Sequence, residues 1–181
     1  MTTRTALDTR TLLICAAIGV ATGILGGIAG AVTLGVLAVV PYVYGLVLGV
    51  HVLPGIIAQE VLRRPLVALI THVVAALISS AFNPVWAMRF IGTALLFGAI
   101  QEGVAALTRY RSWGRWRFFV SAVIIGVIVA AVVGVVVDLA RFALWVQVAY
   151  LVVSVLGPVA WTAVGVAVGN SLRRAGLAPA S

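Results

Sequence analysis

Lysine is absent from this 181-residue sequence, and only four side chains are acidic: Asp8, Glu60, Glu102 and Asp138. Without lysine there is no Walker A loop, whose lysine must reach the nucleotide phosphates, and no Schiff-base chemistry. A P-loop ATPase is excluded. The single cysteine, Cys15, cannot form an internal disulfide. Charge of either sign is scarce at 9%, against roughly 25% in an ordinary soluble domain. Hydrophobic residues make up 64% of the chain and the mean hydropathy is +1.24, which excludes a soluble globule. Metal-ligand spacings of Cys or His, a serine elbow and a second mid-span carboxylate to pair with Glu102 are all missing. Neither an enzyme nor a resident metal or cofactor is expected.

Arginine is abundant: twelve of them give a formal charge of +8. Clustered basic residues can neutralise nucleic-acid phosphates, but the apolar runs between the arginines outweigh that reading. Residues 11 to 50 carry no charged side chain, and a bilayer-spanning helix needs only about 20 apolar residues. The basic start and apolar stretch resemble a signal peptide only locally, because the apolar signal continues through most of the chain.

Splitting the sequence at charges, Pro and Gly predicts six helices, at roughly 11–34, 41–63, 65–82, 86–109, 117–138 and 144–171. The expected fold is an all-α integral membrane protein, a six-transmembrane-helix bundle forming one membrane domain over 1–181. Arg4, Arg10, Arg63, Arg64, Arg109, Arg111, Arg115, Arg117, Arg173 and Arg174 then share one side, leaving only Arg89 and Arg141 on the other. Because Lys and Arg near span ends are retained in the cytoplasm, both termini are expected there. Trp86 and Trp145 fall near outer ends, and Tyr110, Trp113 and Trp116 near the inner face, where amphipathic rings meet headgroups.

In lipid, helices associate through close packing of small residues spaced by four. The first span holds Ala17 with Ala21, the row Gly19, Gly23 and Gly27, and Gly26 with Gly30. One such face packs within the bundle or docks another membrane subunit. Gly126, Ala130, Gly134, Gly165 and Gly169 read as internal packing.

Ionisable groups deep in a span are costly, about 2.5 to 3.5 kcal/mol for a charge at the bilayer centre, and so are diagnostic. His51, His72 and Glu102 are the candidates. His72 and Glu102 each lie seven positions from the inner end of their spans, about 10 Å along the helix, so imidazole and carboxylate could meet. Such a pair either cross-links two helices or forms a polar site for a cationic or hydrogen-bonding ligand. Glu60 with Arg63 and Arg64, and Asp138 with Arg141, have helical ion-pair spacing. Asp8 is placed to cap the first helix. Arg89, just inside the outer end of the fourth span, either snorkels outward or binds an anion.

Several segments together resemble the YkoE-type substrate-binding components of energy-coupling-factor (ECF) transporters. They are Pro54-Gly55-Ile56-Ile57-Ala58 through Arg63-Arg64-Pro65, Ala75-Ala76-Leu77 with Asn83-Pro84, and Gln101-Glu102 ahead of Thr108-Arg109-Tyr110-Arg111 and Trp113. The resemblance covers about residues 41 to 175. It implies a six-helix membrane subunit that captures a vitamin, thiamine or its hydroxymethylpyrimidine precursor, from outside. It further implies docking onto a transmembrane coupling subunit driven by two cytoplasmic ATPases, with Ala17 and Ala21 as the docking pair. Glu102 is the implied first contact to the ligand. His72 stands where a second acid is expected, and Asn83, Tyr44, Trp86 and Trp145 could supply further contacts and stacking faces. Competing expectations are a membrane scaffold or assembly protein and a stand-alone secondary carrier.

Overall fold

The computed structural model describes residues 8–177. Among them there is no strand; the chain runs through α1 (Thr9–Val39), α2 (Tyr44–Gly49), α3 (Leu53–Leu62), α4 (Val67–Phe82), α5 (Ala87–Leu107), α6 (Trp116–Val136) and α7 (Leu144–Leu172). Five segments are long and apolar enough to cross a membrane: Thr9–Val39, Pro41–Leu62, Pro84–Leu107, Trp116–Val136 and Leu144–Leu177. The sixth pass, α4, has 16 residues, which at 1.5 Å per residue is about 24 Å, short of a full hydrocarbon core.

The expected breaks occur where the sequence places them. Asp8 caps α1 through a 2.8 Å bond from the Thr11 amide to its carboxylate, which holds the Asp8 carboxyl down at about 2. Its ion pair is with Arg64, at 3.0 Å. Glu60 keeps Arg63 but takes Arg173, at 3.2 Å, in place of the expected Arg64. Asp138 pairs with Arg141 as its spacing predicts.

The second pass departs from the expected single helix. Pro54 has no N–H for the Val50 carbonyl, so the Leu53 amide takes that acceptor and tightens Val50–Val52 into a 3₁₀ turn between α2 and α3. The Val52 carbonyl is then met from outside the segment, by the Gln101 amide at 3.1 Å.

Glycines set the helix approaches. On α1, a methyl at Gly23 would stand 2.7 Å from the Ala75 carbonyl and from Ile78, and one at Gly19 2.7 Å from Val74, so this row lies flat on α4. Ser79 seals the seam with a 2.8 Å bond to the Gly23 carbonyl. Gly45 of α2 and Gly157 of α7 meet backbone to backbone, and Gly126 of α6 meets Ser154 and Val155. Several other hydroxyls bond back to their own helix, as those of Thr22, Thr33 and Thr71 do.

Chain direction gathers Arg10, Arg63, Arg64, Arg109, Arg111, Arg115, Arg117, Arg173 and Arg174 at one end of the bundle and leaves Arg89 and Arg141 at the other. Arg4 lies outside the described residues.

Candidate functional site

At the end opposite the arginine cluster the helices splay around a cavity of about 430 Å³. Its walls come from four passes. The last turns of α1 supply Gly30 and Thr33, α2 supplies Tyr44 and Leu48, the turn before α5 supplies Trp86, the first half of α5 supplies Arg89, Phe90, Thr93 and Phe97, and α6 supplies residues from Ile128 to Val136. Gly30 is there because the Phe90 ring stands so close that a methyl would meet its edge at 2.5 Å. The walls are mainly aliphatic and aromatic, with Thr33, Tyr44, His51, Arg89 and Thr93 the polar side chains placed among them. This is the composition of a small-molecule site: apolar walls with few oriented polar groups.

His51 sits in the 3₁₀ break of the second pass and forms part of the cavity floor. Its ring is tilted 6.0 Å from Phe90 and, among the described residues, has no hydrogen bond. Beneath it a second, much smaller hollow of about 20 Å³ reaches His72, Ser79 and Ala94. His72 is buried there, its Nε2 3.0 Å from Gln101 Oε1. Arg89 lies in the first turn of α5 at the mouth, its guanidinium 4.4 Å over the Trp86 ring. Among the described residues it has no carboxylate partner.

Of the candidates from the sequence, Tyr44 and Trp86 line the cavity, and His72 lies one layer below it. Asn83 ends α4 outside both hollows. Trp145 is exposed and packs 5.5 Å from Tyr42, away from the lining. Glu102 stands at the arginine-rich end. One carboxylate oxygen accepts from the Ala68 amide at 2.8 Å, and the other from the Leu66 amide and the Tyr110 hydroxyl, both at 3.1 Å. It therefore caps the first turn of α4, where Leu66 adopts a left-handed φ of 66°. His72 and Glu102 do not pair; the imidazole meets Gln101, the preceding residue. Burial, followed by the nearby Glu102 charge, pushes the Tyr110 hydroxyl up to about 12.

Ala17 and Ala21 are exposed on α1, on a face other than the buried glycine row. Sequence reasoning did not assign Arg89, His51, Phe90, Phe97, Thr33 or Thr93 to the site. Arg89 and His51 carried a signal, as an unpaired outer arginine and a mid-span imidazole; the others are indistinguishable from packing residues without the fold.

The electrostatic character of the cavity is one-sided. Each of the four acids is engaged elsewhere: Asp8 with Arg64, Glu60 with Arg63 and Arg173, Glu102 with α4, and Asp138 with Arg141. Among the described residues there is also no group of three or more His, Cys, Asp or Glu side chains that could hold a metal ion.

A family model described as "ABC-type cobalt transport system, permease component" matches residues 10–128. The fold is similar to a solved structure titled "Crystal structure of an S-component of ECF transporter", with a TM-score of 0.82 over 94% of this chain and 88% of that one at 18% identity. No curated protein matches the sequence.

Proposed function

The chain belongs to the family of ABC-type cobalt transport system permease components and is a multi-pass plasma-membrane protein, and on that premise we propose that it is the substrate-capture subunit of an ECF-type uptake transporter. The observation that carries the reading is the cavity, open at the arginine-poor end of a bundle with an S-component fold. By the positive-inside rule that end faces out and both termini lie in the cytoplasm, so substrate enters from outside. A chain without lysine has no P-loop of its own, so the energy comes from two partner ATPases acting through a transmembrane coupling subunit. Ala17 and Ala21 offer that subunit a small-residue face on α1 which the bundle itself leaves uncovered. The chain binds and releases; it performs no bond chemistry.

The thiamine reading rested on Glu102, and that carboxylate is occupied by α4. Stacking on Tyr44, Trp86 and Phe90 still suits a flat heterocycle such as the hydroxymethylpyrimidine precursor, whereas a thiazolium cation finds no counter-charge in the cavity.

Co-expression with a coupling subunit and its ATPases tests the assignment. The expected result is a copurifying complex and ATP-dependent uptake. Uptake by vesicles containing this chain alone would instead establish a stand-alone carrier, and no uptake in either setting would leave a scaffold.

A further inference from the structure

Resting on the capture reading, we propose that the substrate is a small organic anion, a carboxylate-bearing compound that seats its acid group on Arg89 at the cavity mouth and its body against Tyr44, Phe90 and Phe97. Three independent features point the same way.

The first is charge. Arg89 is the one charged side chain of the lining, and among the described residues it has no ion pair. Arg141, the other arginine at this end, is neutralised by Asp138. The Trp86 ring holds the Arg89 guanidinium against the wall through its π face and leaves its N–H groups for another acceptor. Arg89 also lies in the first turn of α5, where the helix dipole adds positive potential. Together these attract an anion and repel a cation.

The second is donor chemistry. A cobalt ion leaving water needs several nitrogen, oxygen or sulfur ligands around it. The lining offers one free imidazole, His51, and no carboxylate or thiol; the second imidazole, His72, is bonded to Gln101 one layer down. These donors do not fit a bare divalent cation.

The third is size. About 430 Å³ of mainly apolar space suits an organic molecule rather than an ion. With Arg89 at the mouth and His51 on the floor, the site reads a compound with an acid at one end and a hydrogen-bonding group at the other.

The test uses the full chain purified in nanodiscs, with tryptophan fluorescence reporting through Trp86 and equilibrium dialysis as a second readout. The probes are three acids, biotin, pantothenate and nicotinate, set beside their uncharged counterparts biotinamide, panthenol and nicotinamide, together with thiamine and Co²⁺. At least one acid is expected to bind about tenfold or more tightly than its uncharged counterpart, the worth of one charge-assisted hydrogen-bond pair. Arg89→Gln should erase that preference, Arg89→Lys should keep part of it, and Arg141→Gln should change nothing.

An acid preference that survives Arg89→Gln, tighter binding of Co²⁺ or thiamine, or binding by none of the acids overturns the proposal. These failures are separable from failure of the capture reading. ATP-dependent uptake of a cation or neutral compound overturns only the anion assignment. Acid binding on Arg89 without uptake in the presence of the coupling module overturns only the capture assignment.

Discussion

Glu102 illustrates how a buried acid can be fully spent on the fold. Its two oxygens receive three donors, two of them amides at the start of α4. The start of a helix has orphan N–H groups, and the carboxylate satisfies two. Glu102→Gln presents an amide N–H₂ to at least one of these donors, so a loss of about 1–3 kcal/mol is expected. It should appear as a lowered Tm, with ligand affinity unchanged; weakened ligand binding at an unchanged Tm would return Glu102 to the binding site. Tyr110 reports the same contact by pH. Its hydroxyl is raised from 10.0 to about 12, so the bond is complete below about pH 10 and is lost as pH climbs toward 12. Absorbance of the phenolate should show a late-titrating phase that loses one tyrosine's amplitude in Tyr110→Phe and of which the same share moves earlier in Glu102→Gln. The spacing of His72 and Glu102 left open whether their two helices touch; they do, with the His72 imidazole on Gln101 and the Glu102 carboxylate at the start of α4. The spacing missed the partner by one residue because α5 is apolar around most of its circumference, and nothing in such a pattern fixes whether Gln101 or Glu102 turns toward His72.

At the scale of elements, α1 has two small-residue faces that look alike in sequence and differ in use. The glycines lie on α4, where only a hydrogen in place of a side chain allows the carbonyl of Ala75 to come so near Gly23. The alanines, Ala17 and Ala21, look away from the bundle. Gly23→Ala must push α1 from α4 and is expected to lower Tm by several degrees, since a strained contact of this kind costs about 1–3 kcal/mol. Gly103→Ala, which meets nothing within 4 Å, should be neutral or slightly stabilising through helix propensity. Ala17→Trp, by contrast, should leave Tm and ligand affinity alone while abolishing copurification with the coupling subunit and uptake; normal uptake would move the docking face elsewhere. Existence and order of the six passes were legible because Pro41, Pro65 and Pro84 and the charged turns punctuate the chain. The 3₁₀ break at Val50–Val52 was not, although Pro54 is its cause, since a proline shows that one carbonyl is freed and not how the chain reclaims it.

Across the whole molecule, charge separates the two ends more sharply than any other property. Nine described arginines stand at the end that holds the carboxylates Asp8, Glu60 and Glu102, whereas the cavity end holds only Arg89 and the Arg141–Asp138 pair. The cavity itself was not legible, because its walls come from α1, α2, α5 and α6, with lining residues from Gly30 to Val136, and no local pattern records that they converge. The proposed direction in which it opens rests instead on the arginines. Positive residues beside short loops resist translocation, and the Tyr110–Arg115 connection carries Arg111 and Arg115 as well as following Arg109. Single cysteines read this directly, since native Cys15 is fully buried and should stay silent toward a membrane-impermeant maleimide. Ala140→Cys, in the exposed turn before α7, should label in intact cells. Ser112→Cys, exposed in the arginine-rich turn, should label only after the membrane is permeabilised. The reverse pattern would place the cavity mouth in the cytoplasm, where it could release a substrate and could not capture one from outside.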